Sequence, residues 1–227
     1  VEVIISDSNL GFGKANNIGL EKAINNNYDY VFLLNQDARI EPDTIGTLIS
    51  VNKKNMKYGI LSPVHRSGSD DKLDWNFSKF WTNDDASGLI SDFLLGNKIK
   101  DIYRVDFINA AMWLVSIECV KKVGKFDPIF PHYGEDDDYV RRAKKLDFDV
   151  GFVPHAYGNH ARITNSASDN IEKNKYRKFI NYLLILKAYN GPFIKAKIYV
   201  IRKIITELIA SVIMNDFKNF RINFYSV

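Results

Sequence analysis

Residues 30 to 45 read YVFLLNQDARIEPDTI, an apolar strand that runs straight into Asn35, Gln36 and Asp37. A buried strand ordinarily just turns at its end, so three polar side chains there ask for a ligand or a partner. Upstream, the β-branched run Val1 to Ile5 reads as a buried strand. The stretch NLGFGKANNIGLEKAINNN that follows predicts a glycine-containing turn and a helix from about Lys14 to Asn25. Strand, helix, strand at this spacing implies a right-handed crossover and a parallel sheet, with ligands expected beyond the carboxyl ends of the strands. Asn35 to Asp37 lie at such an end.

Working outward, Pro42 suits the first turn of a helix over 43–54, whose Ile45, Leu48 and Ile49 share a face. YGILSPVH reads as another strand, and residues 66–100, rich in Ser, Asp, Asn and Gly, as an irregular or hairpin insertion. A strand over 102–108 and a helix over 116–123, ending at Gly124, come next.

A second polar cluster, HYGEDDDYVRRA, spans residues 132–143. Glu135 to Asp138 fall at the start of a helix and Arg141 to Lys145 at its end, as the helix dipole favours. Three consecutive aspartates exceed what capping requires, and a carboxylate tuned by its neighbours is what a general base needs. A third element, VPHAYGNHARITNSAS, places His155 and His160 after a short strand over 150–153. His155 reads as an ordinary surface histidine.

Composition bounds the rest. The 227 residues suffice for one substantial core. The single cysteine excludes an intramolecular disulfide framework and fits a reducing, cytoplasmic compartment. The net charge of +4 conceals a basic tail, and the acidic clusters in the body argue against a nucleic-acid partner. In that tail, Ile194, Ile198, Ile201, Ile205, Leu208 and Val212 recur at intervals of four and three, with Lys195, Lys197, Arg202 and Lys203 largely off the stripe. This fits either an amphipathic helix on the inner face of an anionic membrane or a core-packing or homodimer helix.

NLGFGKANNIGLEKA, YVFLLNQDARIEPDTI, AAMWLVSIECVKKVGKFDPIF and GEDDDYVRRAKKLDFDVGFVPHAYGNH resemble, in order and spacing, successive motifs of family 2 glycosyltransferases, over about residues 3 to 165. Rhamnosyltransferase-like members are the nearest. The resemblance implies an α/β architecture, the GT-A Rossmann-like three-layer sandwich with a mostly parallel sheet. Residues 1–170 would form a partial catalytic domain and 171–227 a basic helical tail. It also implies an inverting transfer of a sugar from a nucleotide diphosphate donor to a glycan or lipid-linked acceptor in bacterial surface-polysaccharide assembly.

Carried over by position, Asn35, Gln36 and Asp37 stand where the family has its DxD-type motif, with Asn35 replacing the first acid. Mg²⁺ or Mn²⁺ would be shared between Asp37, His160 and the donor phosphates. In GEDDDY, Asp136 stands as the catalytic base, Asp138 as the second candidate, and Glu135 as an acceptor-binding or positioning residue. Arg142 would reach phosphate or pair with the aspartates. Asn9, Gly11, Asn16 and Asn17 match the donor-side segment, and Ala110 and Ala111 the small-residue stretch between donor sugar and acceptor. Trp113 stands as a sugar-stacking face or as core. Family members begin with a strand and a segment that grip the nucleoside base, so the expectation is an excerpt of a longer chain or a truncated product. Competing readings are a non-catalytic sugar-nucleotide or glycan binding module, or a structural subunit pairing through the tail.

Overall fold

The computed structural model describes residues 2–79, 87–161, 171–188, 193–214 and 222. Its centre is a sheet of six strands: β1 (Tyr30–Leu34), β2 (Ala38–Ile40), β3 (Tyr58–Ser67), β4 (Tyr103–Arg104), β5 (Met112–Ser116) and β6 (Asp149–His160). The order is β1-β5-β3-β6-β2, with β4 also on β6. Helices cover both faces, so β3 and β5 are apolar on both sides and read as continuous buried runs.

One face packs on α1 (Gly11–Asn25), α5 (Ile117–Val123) and α6 (Glu135–Lys145) through a cluster that includes Leu20, Ile60, Trp113, Cys119, Phe126 and Tyr139. The other packs on α2 (Thr44–Lys54) through Leu48, Leu61, Leu114, Val153 and Ala156. Full burial of each such side chain stabilises by about 1.5–3 kcal/mol. The result is a three-layer α/β/α sandwich.

Three sequence expectations are corrected. The sheet is mixed rather than mostly parallel: β3 and β6 pair in parallel, whereas β1–β5, β3–β5, β2–β6 and β4–β6 are antiparallel. A run buried on both faces reports burial but not strand direction. Val3, Ile4 and Ile5 form no strand and are exposed, because a strand exists only against a partner, and these residues have none among the described ones. The strand expected over 102–108 shrinks to Tyr103–Arg104.

Smaller departures follow local chemistry. Pro42 lies just before α2 rather than in its first turn, because Asp43 is the N-cap. The insertion holds α3 (Trp75–Lys79) and α4 (Ser87–Leu94). Asp74 starts α3 by accepting from the Phe77 N–H at 2.9 Å. α5 matches expectation, with Ser116 capping Cys119 N–H at 3.2 Å and Gly124 at φ 83° ending it.

The tail forms α7 (Ile171–Ala188) and α8 (Phe193–Ile213). α7 is tied to α6 by Lys187, 2.9 Å from Asp138, and by Arg141, whose Nη1 donates to the Leu184 carbonyl at 2.8 Å.

Candidate active site

The two polar clusters meet at one end of the sheet. β1 ends at Leu34, opposite Met112 in β5, so residues 110 and 111 lie beside the turn that follows β1. The Asn35 N–H donates to the Ala111 carbonyl at 2.9 Å, and the Ala110 N–H donates to Asp136 Oδ2 at 3.4 Å. Two adjacent, buried alanines therefore join the strand end to the acidic helix start through their backbone. Larger side chains would fill that junction.

Asn35 to Ala38 form a tight turn closed by Ala38 N–H on the Asn35 carbonyl at 3.0 Å. Asp37 is thereby set against the end of β6, where its carbonyl accepts from the Ala161 N–H at 2.9 Å. Its carboxylate Oδ1 lies 3.2 Å from His160 Nε2, although 123 residues separate the two. His160 is only 2% exposed, and its Nδ1 faces Asp74 Oδ2 at 3.8 Å.

Two ligands about 2.1 Å from one octahedral cation stand about 3 Å apart, so Asp37 and His160 fit a shared Mg²⁺ or Mn²⁺. No group of three or more His, Cys, Asp or Glu able to hold a metal is found among the described residues, so Asp37 and His160 supply at most two ligands. Gln36, Asp37, Arg39, Gly68 and Asn159 line a depression of about 270 Å³ beside the pair.

The helix start is equally specific. Tyr133 at φ 65° and Gly134 at φ 83° are consecutive left-handed residues that turn the chain sharply into α6. A β-carbon on Gly134 would sit 2.6 Å from Ile180 Cγ2 of α7, so glycine is required twice over. The four acids that follow have four different surroundings. Glu135 is buried beside Asp136 and Asp137, with Oε2 lacking a hydrogen-bond partner, and burial pushes its carboxyl up to about 7. Asp136 is half-buried and accepts from the Asp137 N–H at 2.9 Å as well as from Ala110. Asp137 is exposed. Asp138 is buried and neutralised by Arg142 at 2.7 Å, Lys187 at 2.9 Å and Arg141 at 3.5 Å.

Several anticipated residues have structural posts instead. Arg142 donates to Asp138 Oδ2 at 2.7 Å, to the Val123 carbonyl at 2.6 Å and to the Lys125 carbonyl at 2.9 Å, which takes its guanidinium away from any phosphate. The Asn17 amide clamps the backbone of Phe126, donating to its carbonyl at 2.9 Å and accepting from its N–H at 2.8 Å. Asn16 donates to the Phe12 carbonyl one turn back at 2.9 Å. Trp113 is fully buried between the sheet and α6, so it is core and stacks on no sugar.

Asn9 accepts from the Gly11 N–H at 2.9 Å, and Gly11 at φ 72° lies so near the Pro131 carbonyl that a β-carbon would stand 2.6 Å from its oxygen. That contact presses the start of α1 against the loop leading into α6. His155 is exposed.

Two residues escaped the sequence reading. Asp74 faces His160 at 3.8 Å, and its signal was the helix start at Trp75 within LDWNF. Arg39, two positions past Asp37, lines the depression with a mostly exposed guanidinium that also meets Asp70 at 2.9 Å.

The sequence matches the family described as Glycosyltransferase like family 2 over residues 1–181. A search of curated proteins finds no match. Among solved structures, the chain is similar to GalNAc-T7, in a crystal structure with UDP, GalNAc and Mn²⁺. The identity is 13% and the TM-score 0.56, with 83% of this chain and 39% of that one covered. It is also similar to S. aureus TarS, at 13% identity and a TM-score of 0.51, with 96% and 43% covered. The chain thus spans less than half the length of either structure it resembles.

Proposed function

The chain belongs to the glycosyltransferase-like family 2 and has its GT-A fold, and from that membership we propose that it transfers a sugar, with inversion, from a nucleotide diphosphate donor to an acceptor hydroxyl. The observation that supports this reading is that the strand end carrying Asp37, itself paired with His160, is joined to Asp136 through the backbone of Ala110 and Ala111. A binding module needs no half-buried carboxylate joined to such a strand end.

In this reading Asp136 takes the proton of the acceptor hydroxyl as that oxygen bonds to the anomeric carbon and the bond from carbon to the diphosphate oxygen breaks on the opposite face. Inversion at that carbon is the consequence. A divalent cation, Mg²⁺ or Mn²⁺, would offset charge on the leaving diphosphate. Asp37 and His160 would hold it, and Gln36, Asn35 and Arg39 would border the donor. Glu135, whose carboxyl burial pushes up to about 7, positions the acceptor side. The donor is a UDP- or dTDP-linked hexose or deoxyhexose, and the acceptor a glycan or lipid-linked carrier of bacterial surface polysaccharide on the cytoplasmic side.

The test is donor hydrolysis and transfer with a panel of UDP- and dTDP-sugars and Mn²⁺, for wild type beside Asp136→Asn. Turnover should fall by about 10²–10⁴-fold in the variant while donor binding persists. Binding without turnover by the wild type from every donor would point to a non-catalytic module.

A further inference from the structure

α8 presents two apolar faces, and only one is covered among the described residues. Ala196, Val200 and Ser211 are buried, and Ile204 and Leu208 half-buried, on the inward face. Glu207 also turns inward, where it meets Lys178 at 2.6 Å and the Tyr182 hydroxyl at 3.0 Å. On the opposite face Ile194, Ile198, Ile201, Ile205, Ile209 and Val212 are 48–62% exposed. At helical spacing these six lie within about 80° of arc and along about 27 Å of axis. Ile209 therefore belongs to the stripe and Leu208, which the sequence pattern included, does not. The bland account, a core-packing helix, covers the inward face only.

We propose that this outer face lies flat on an anionic lipid surface. The rim decides between occupants. Lys195 and Arg202 flank the stripe on one side and Lys197 on the other, all exposed, while the helix's single acid, Glu207, is committed inward. A two-fold pairing of two copies through the stripe would set both Arg202 side chains together near its centre with no acid of α8 to receive them. An anionic bilayer accepts the isoleucines among its acyl chains and the bases among its headgroups. Among the described residues no helix is long and apolar enough to cross a membrane, which is consistent with a helix that rests on one.

The inference stands on α8 alone and does not depend on the transfer reaction. The test is co-sedimentation of the full chain with vesicles of phosphatidylcholine alone and of phosphatidylcholine mixed with phosphatidylglycerol. Binding is expected only to the mixed vesicles. Ile201→Asp with Ile205→Asp should abolish it without changing the circular dichroism or melting temperature, since both side chains are outside the packing face. Lys195→Gln and Arg202→Gln should each weaken it about fivefold. Failure to bind anionic vesicles, equal binding by the Ile variant, or a dimer seen by light scattering that the Ile variant dissolves would overturn the proposal.

Discussion

Glu135 carries a carboxyl that folding removes from water without giving Oε2 a partner. Its pKa rises from 4.5 to about 7, so the folded chain holds this proton more tightly than the unfolded one. The contribution is fully present below pH 4.5 and is lost as pH rises through about 7. Relative to Glu135→Gln, wild type should lose about 3 kcal/mol of stability across that window, read by denaturant unfolding at a series of pH values. Side-chain type was legible in the sequence at this scale, and orientation was not. Asn17, Arg142 and Asp138 are polar and correctly located along the chain, yet backbone carbonyls, a backbone N–H and each other absorb them. Nothing local in the sequence says that a carbonyl 19 residues away waits for Arg142.

Helix starts and stops were legible because their chemistry is local. Ser116 and Gly124 bracket α5, and the acid-to-base gradient marks α6. Strand direction and pairing were not, since the partner of each strand lies far along the chain. Val3 to Ile5 have the composition of a strand and no pairing neighbour among the described residues, whereas β5 has two neighbours and runs opposite to both. The entry to α6 shows how much one residue supports. Gly134→Ala combines a left-handed backbone with a β-carbon 2.6 Å from Ile180. It should cost about 2 kcal/mol or more in thermal unfolding, and adding Ile180→Ala should return part of that loss.

For the whole molecule, the question is where the body built on the sheet ends. We propose that α7 belongs to it functionally, although composition suggested a division at residue 170. Ile180 is buried against the Gly134 turn, and Lys187 helps neutralise Asp138. A chain ending at residue 170 should melt at a clearly lower temperature, because Asp138 loses one of its cations and the start of α6 loses its cover. A chain ending at residue 190 should keep the body's melting temperature much more closely.

The pairing of Asp37 with His160 also imposes an order of events. Asp37 is made early, on a strand end that α1 and β1 can position locally, but its imidazole partner closes β6, the strand that pairs with β2, β3 and β4. Such long-range pairings form late, after the entropy of closing a long loop has been overcome. During synthesis the turn at Asp37 therefore emerges long before anything can complete it, and a ribosome must pass residue 160 before its contact with the imidazole can form.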